Sequence, residues 1–583
     1  MRLKLRLAAA GIALLTLAFP AAAGAGPARS TAGPPADYVK IANLSAPRYK
    51  DIGTETLRLP MADGVQVYIE VTRPKGPGRF PVIAELSPYH GTVYQRDGVR
   101  MLPDDGGLVD YFVPRGYAVV MMDLRGTGKS QGCLDHMGPK DQSDAKEVIE
   151  WAAGQKWSNG RVGVIGHSYP GGTSVMSLAQ RPKGLATIVV SAGLGQMYEH
   201  QFQAGVPYLA QWLGPMEAYE QLAIERQIPG GEHFGNDMQY FGCGMTQSSI
   251  VAGEAQLSGQ YVQWHEERDF RKHAAGNPVP VFAIHGTMDN AARIAALEWF
   301  LRRNGNIRTA SGKTVVDKLW IGQWDHGVDC CPNRRGYQWT KALHAWFDRQ
   351  LQGRNVNTGP PVEVFLADGT EEDGIMGAKT EIYTARRFPG SPRMLKFYPD
   401  AAGNDLSTLR PLTSSTATFV GDPSGIFGRD LTGGVAFRSK PMDRDVLFVG
   451  EPKLQLAASI TMPRTYLIAN VLDEDPDGVW RRMSQFAINP ELRKGIGSRS
   501  PVIPGKRYVM HPPGYAMGYH LRKGHRLVLR VTTSDPDKIP LFSIDPNVTV
   551  WTGVPHTVLS LPVVDRPVLY KDTLNTKHPK VKN

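Results

Sequence analysis

The chain has 583 residues, of which 42% are hydrophobic and 21% charged, with a formal charge of +11. That composition excludes a disordered or fibrous chain, and the length suits two to four domains of ~100–200 residues each. The 63 glycines and 44 prolines call for many turns, as β-rich or loop-rich structure does.

The N-terminus reads MRLKLR, then an apolar run from Leu7 to Phe19, then the small residues PAAAGAGPA. A basic start, a short apolar stretch and small residues make a secretory signal peptide, residues 1–25, with cleavage after Ala23 or Ala25. The run is shorter than the ~18–20 residues a membrane anchor needs, and no later stretch approaches that length. A secreted protein, extracellular or periplasmic, with no stable membrane insertion is therefore expected. Export makes disulfides plausible. Cys133, Cys243, Cys330 and Cys331 allow three pairings, of which the vicinal one is strained. A bond from Cys330 or Cys331 to Cys133 or Cys243 would brace the loop after His326. The cysteine spacing gives no support to a zinc site.

Strands are expected at Val65–Val71, Val82–Leu86 and Tyr117–Asp123, the last an unbroken apolar run suited to burial on both faces. Ala145, Val148, Ile149 and Ala152 keep helical spacing. A strand Val162–Gly166, a helix Ser168–Gln180 and a strand Ala186–Ser191 follow. The alternation predicts a doubly wound, mostly parallel α/β sheet. It lapses over 193–275, where long and aromatic side chains predict a helical cap, and resumes with strands Val279–His285 and Val316–Ile321 and a helix at Trp339–Leu351. Catalytic segments 26–192 and 276–352 thus flank the cap. After the linker Gln352–Pro361, residues 356–583 carry short alternating runs such as Leu454–Leu456, Tyr466–Leu472 and Leu527–Val531, as an all-β sandwich does.

Gly166-His167-Ser168-Tyr169-Pro170-Gly171 lies between a strand and a helix. A serine on such a sharp turn projects its hydroxyl above the sheet, and the following N–H, that of Tyr169, can face an oxyanion. Pro170 suits the first helical turn, where its missing N–H has no partner to lose. The alternative is an ordinary tight turn. A triad in the order Ser, Asp, His selects Asp289, after the strand ending in His285-Gly286, and His326, after Leu319-Trp320-Ile321. Asp325 is a rival acid, but adjacency to His326 hinders convergence on its ring. His167 and His285 read as packing or hydrogen-bonding residues. Tyr89, after the strand Val82–Leu86, is a candidate second oxyanion donor, although a tyrosine at a strand end is common.

These residues, together with Ser87-Pro88-Tyr89, Asp123-Leu124-Arg125-Gly126-Thr127-Gly128-Lys129-Ser130, Gly286-x-x-Asp289 and Trp324-Asp325-His326, resemble the CocE/NonD hydrolases, the family of X-Pro dipeptidyl-peptidase and cocaine esterase. The resemblance runs from about Ile52 to Pro562. It implies an α/β-hydrolase with a helical cap and a C-terminal jelly roll, and an oxyanion hole made by Tyr89 and the Tyr169 N–H. It also implies a serine hydrolase of esters or amides, with no cofactor. Members acting on α-amino acid esters carry carboxylates just after the triad aspartate, whereas Asn290, Ala291 and Ala292 stand here. Glu199 or Glu217 of the cap remain candidates for an ammonium clamp, and Tyr208 and Trp212 for the acyl pocket.

Asp473-x-Asp475-x-Asp477-Gly478 resembles the start of a calcium loop, but Ser484 stands where glutamate is required, and a β-hairpin turn is expected instead. No metal is anticipated. Three of the positive charges belong to the leader, and the rest are dispersed in pairs such as Arg302–Arg303 and Arg334–Arg335. No basic stripe points to nucleic acid. The competing readings are a small-molecule esterase or acylase, an X-Pro exopeptidase, and a non-catalytic protein binding carbohydrate or cell wall.

Overall fold

The computed structural model describes residues 32–90, 107–208, 258–289, 291–293, 297–303, 307–326, 337–367, 381–421, 434–538, 546–553, 556–565 and 567–571. The signal peptide, Trp212, Glu217, Cys243, Cys330 and Cys331 lie outside them.

The catalytic part is built on a sheet of strands β1 (Ile52–Pro60), β2 (Gln66–Pro74), β3 (Phe80–Ser87), β4 (Ala118–Asp123), β5 (Ser158–His167), β6 (Leu185–Ser191), β7 (Val281–Gly286), β8 (Lys318–Gly322), β9 (Val362–Leu366) and β10 (Glu381–Ala385). Their spatial order is β1-β2-β4-β3-β5-β6-β7-β8-β9-β10, completed by Leu569–Lys571. Pairing is parallel from β4 through β9 and antiparallel at both ends. Burial shows why the strands read as continuous apolar runs. On β3, Val82, Ala84 and Leu86 enter one core, while Ile83 enters the other with Phe282, Trp320, Trp339 and Trp346. Both faces are covered, so no alternation with polar residues survives. Helices α1 (Pro139–Gly154) and α2 (Tyr169–Gln180) pack in the first layer, and Trp339 and Trp346 of α3 (Tyr337–Leu351) in the second.

Of the cap, 193–208 and 258–275 are described. They hold the short helices Tyr198–Gln201, Gln263–Glu266 and Arg271–Ala275, and a two-stranded hairpin, Phe202–Gln203 with Val206–Pro207, that helical patterning does not anticipate. The C-terminal part is all-β: 13 described strands surround a core that includes Phe397, Phe448, Leu456, Phe486, Tyr519 and Leu529. The Asp473–Gly478 segment is a hairpin turn between Leu467–Glu474 and Trp480–Ile488. Asp475 accepts the N–H groups of Asp477 and Val479, and Gly478 supplies the positive φ of 84°.

The sheet crosses the expected boundary at 352–356. β9 and β10, both beyond it, and Leu569–Lys571 near the C-terminus all extend the catalytic sheet. The β-rich region therefore contributes strands to both bodies.

Candidate active site

The serine turn is forced by close packing. Ser168 sits at φ 64° and ψ −124°, a strained conformation for a residue with a side chain. A Cβ at position 166 would lie 2.3 Å from the Pro170 carbonyl carbon, and one at 171 would lie 2.7 Å from the Ser191 oxygen. The first and last glycines of the motif are thus required by the approach of α2 to β5 and β6. Ser168 N–H donates to the Ser191 carbonyl at 3.0 Å, and Gly172 N–H donates to the Ser168 carbonyl at 3.0 Å.

Two further loops converge on this serine from the ends of β7 and β8. They are tied to each other: Thr287 N–H donates to the Gly322 carbonyl at 2.7 Å, and Met288 N–H to the Trp324 carbonyl at 3.2 Å. His326 Nε2 stands 2.7 Å from Ser168 Oγ, and its Nδ1 stands 2.9 Å from Asp289 Oδ2. The carboxylate can only accept, so Nδ1 carries the proton and Nε2 accepts from the serine hydroxyl. Asp289 is 2% exposed. Its second oxygen accepts the N–H groups of Ala291 at 2.9 Å and Ala292 at 2.7 Å. Burial by itself would raise this carboxyl, but the adjoining His326 ring and the backbone donors hold it below its ordinary value. The rival Asp325 is exposed.

Tyr169 opens helix α2, so its N–H belongs to the first turn, where the helix field favours negative charge. Tyr89 lies just past β3, half-buried, with its ring edge-on to that of Tyr169 at 6.4 Å between centroids. Its N–H donates to Ser87 Oγ at 3.0 Å. The end of β3 is pinned to α2 where Thr173 Oγ1 donates to the Leu86 carbonyl at 2.7 Å.

The histidines read as packing residues surround the triad. His167 lies 4.9 Å from the His326 ring and shares a hydrogen bond of 2.9 Å with Ser191 Oγ. His285 Nε2 donates to the Ala292 carbonyl at 2.7 Å and so steadies the turn that carries Asp289.

Sequence reasoning missed two others. His200 is bonded to the Ala291 carbonyl, and burial, with His326 and Arg293 nearby, pushes its pKa down to about 4. His90 is buried between Glu85 Oε2 and Asp123 Oδ1, each at 3.5 Å. Burial would lower its pKa, but the carboxylates of Asp123 and Glu85 raise it to about 10. His90 draws Glu85 from β3, just before it, and Asp123 from the end of β4, whereas His200 is bonded across to the turn after β7, so neither ring is marked by its own spacing.

The cap residues are placed differently from one another. Tyr208 is fully buried and its hydroxyl is bonded to that of Tyr515 from the β-rich region. Glu199 is paired with Arg271 at 3.1 Å. No cluster of metal-ligating side chains occurs among the described residues.

Residues 63–328 match the X-Pro dipeptidyl-peptidase (S15 family) model, and residues 354–559 match the X-Pro dipeptidyl-peptidase C-terminal non-catalytic domain. A cocaine esterase from a Rhodococcus species is 31% identical over 82% of this chain and 90% of its own. A Streptomyces avermitilis protein provisionally named an Xaa-Pro dipeptidyl-peptidase is 27% identical over 83% of this chain and 79% of its own. A CocE/NonD family hydrolase of Staphylococcus aureus has the same fold, with a TM-score of 0.70 and 18% identity, covering 88% of this chain and 94% of that one. Two adjoining domain matches in the family's order, and an esterase relative aligned over most of both chains, establish the lineage: the chain belongs to the CocE/NonD serine hydrolases, the family of cocaine esterase and the X-Pro dipeptidyl-peptidases.

Proposed function

We propose that this enzyme cleaves an ester or amide bond through a Ser168–His326–Asp289 triad and an acyl-enzyme. The carrying observation is the unbroken chain of 2.7 Å from Ser168 Oγ to His326 Nε2 and 2.9 Å from His326 Nδ1 to Asp289. Ser168 attacks the carbonyl carbon as His326 takes its proton, while Asp289 fixes the tautomer and stabilises the imidazolium that forms. The Tyr89 hydroxyl and the Tyr169 N–H receive the oxyanion. His326 returns the proton to the leaving alcohol or amine, and water repeats the sequence on the acyl-enzyme. Labelling by a fluorophosphonate probe tests this: wild type is expected to label and Ser168→Ala not to. Equal labelling of the two overturns the assignment.

The substrate reading places a small ester or amide ahead of an X-Pro peptide. An X-Pro exopeptidase must hold a substrate ammonium. Ala291 and Ala292 bring no carboxylate, their N–H groups go to Asp289 and their carbonyls to His200 and His285, and Glu199 is paired with Arg271. The family match to X-Pro dipeptidyl-peptidase supports the second reading. Short-acyl esters set against X-Pro anilides decide between them, and a preference for anilides with a free amine reverses the order.

The leader sequence supports export, with a disulfide linking Cys133 or Cys243 to Cys330 or Cys331. Mass spectrometry of the mature protein is expected to find cleavage after Ala23 or Ala25 and fewer than four free thiols.

A further inference from the structure

The turn that carries the triad acid continues into a buried arginine. Arg293 stands four positions after Asp289 and is 4% exposed, and its charge acts on His200, which also feels His326. Its guanidinium carbon lies 4.3 Å from the centre of the Tyr208 ring. Lys538, 1% exposed and supplied by the β-rich region, places its Nζ 3.5 Å from the centre of the same ring. The phenols of Tyr208 and Tyr515 share a hydrogen bond, and Gln203 Oε1 accepts from Lys538 Nζ at 2.9 Å and from the Tyr515 hydroxyl at 2.9 Å. Three parts of the chain therefore meet here: the acid turn, the cap entrance and the β-rich region.

Arg293 is the poorly partnered group of this junction. Among the described residues its basic side chains are Arg293, Lys538 and Arg482 and its carboxylates Asp535 and Asp537. Arg482 holds Asp537 at 2.5 Å and faces Asp535 at 3.7 Å. Arg293 reaches the already occupied Asp537 only at 3.6 Å, and its Nε, buried, has no hydrogen-bond partner among the described residues. Among the described residues, the acceptors of Lys538 Nζ are both neutral, Gln203 and the Tyr515 hydroxyl at 3.4 Å. Burial, and then Arg293, hold the lysine well below its ordinary pKa. A buried guanidinium without a full partner is costly, and an anion would supply the acceptor that Arg293 lacks. A carboxylate fits best, since its two oxygens match the planar guanidinium fork.

We propose that Arg293 and Lys538 form an anion subsite of the active centre that receives a carboxylate carried by the substrate. This rests on the hydrolase reading and names the class of substrate for the same site. The carboxylate sits either on the acyl chain or on the leaving group, and two substrate pairs separate these sources. One is 4-nitrophenyl hydrogen glutarate against 4-nitrophenyl valerate; the other is 3-(4-acetoxyphenyl)propionate against its methyl ester. Wild type is expected to favour the anionic member of one pair by about tenfold or more in kcat/KM, as a buried charge-assisted contact gives. Arg293→Met is expected to bring that ratio close to one, Arg293→Lys to keep most of it, and Lys538→Met to lower it. The last two variants decide the matter if Arg293→Met does not fold. Equal turnover within both pairs, or a preference that survives the loss of charge at both positions, overturns the subsite. Fluorophosphonate labelling is read on the same samples. Labelling without anionic preference overturns the subsite alone, whereas wild type that does not label overturns the hydrolase reading and the subsite with it.

Discussion

Each residue of the proposed triad has a neighbour that sets its behaviour. Asp289 accepts from His326 and from two backbone N–H groups, so its negative charge is secured on both oxygens. Asp289→Asn would keep the shape and present the wrong partner to Nδ1. By the triad precedent, kcat is expected to fall on the order of 10⁴-fold with little change in KM, read from steady-state kinetics. Tyr89→Phe removes the proposed second oxyanion donor, and a loss of about 10²–10³-fold in kcat is expected. His90 gives a prediction for pH. Its folded pKa, raised to about 10, lies above the unfolded value of 6.5, so its stabilising contribution is fully present below pH 6.5 and is lost as pH rises toward 10. Wild-type stability in denaturant titrations is expected to decline over that interval, and His90→Gln is expected to lack that part of the decline. A wild-type profile no steeper than that of the variant contradicts a charged His90.

At the scale of elements, the motif spacings turn out to be packing statements. Asp123-Leu124-Arg125-Gly126-Thr127-Gly128-Lys129-Ser130 supplies no atom to the triad. Arg125 is buried and clamps Asp144 with two bonds, at 2.6 and 2.7 Å, and Asp63 with one at 2.8 Å. Asp123 accepts the Lys129 N–H at 2.7 Å, and a Cβ at Gly128 would meet that same carboxylate at 2.1 Å. Arg125→Met leaves Asp144 buried beside Asp141 without its cation, and a loss of about 3–5 kcal/mol is expected in chemical denaturation. Gly171→Ala sets a methyl group against the Ser191 carbonyl and the Gly193 backbone, both of which are main chain and cannot swing aside. Loss of fluorophosphonate labelling together with a lowered Tm is expected. The elbow was legible from sequence because its geometry depends on six consecutive residues. The hairpin at Phe202–Pro207 was not, because it is stabilised by contacts such as Gln203 Nε2 donating to the Gln485 and Pro513 carbonyls.

Across the whole molecule, the β-rich second half extends the first half's sheet and holds one of its loops. β8, the strand that leads to His326, is flanked by β9 from beyond the linker. The His326 loop is held from the other body as well, since Gln323 Nε2 donates to the Arg482 carbonyl at 2.9 Å. A chain ending at residue 352 would expose β8 as a bare edge and remove Lys538 and Tyr515. Such a truncation is expected to aggregate or to unfold well below the full protein, followed by circular dichroism, and not to label at Ser168. A truncated chain with wild-type Tm and labelling would show the two bodies to be independent.

Sequence alone determined the α/β order of the strands in the first half, the β-rich second half, the serine turn, and Asp289 and His326, which the fold brings into one hydrogen-bonded chain with Ser168. Each of these rests on short-range physics: strand and helix periodicity, turn chemistry, and the requirement that acid and base follow the ends of successive parallel strands. The extension of the sheet past the linker, the carboxylates around His90 and the meeting of Arg293, Tyr208, Tyr515 and Lys538 were decided only by the tertiary structure. Apart from Glu85, five positions before His90, their partners lie tens to hundreds of positions apart, and a buried charge leaves no mark in its local pattern until the groups that compensate it are brought beside it.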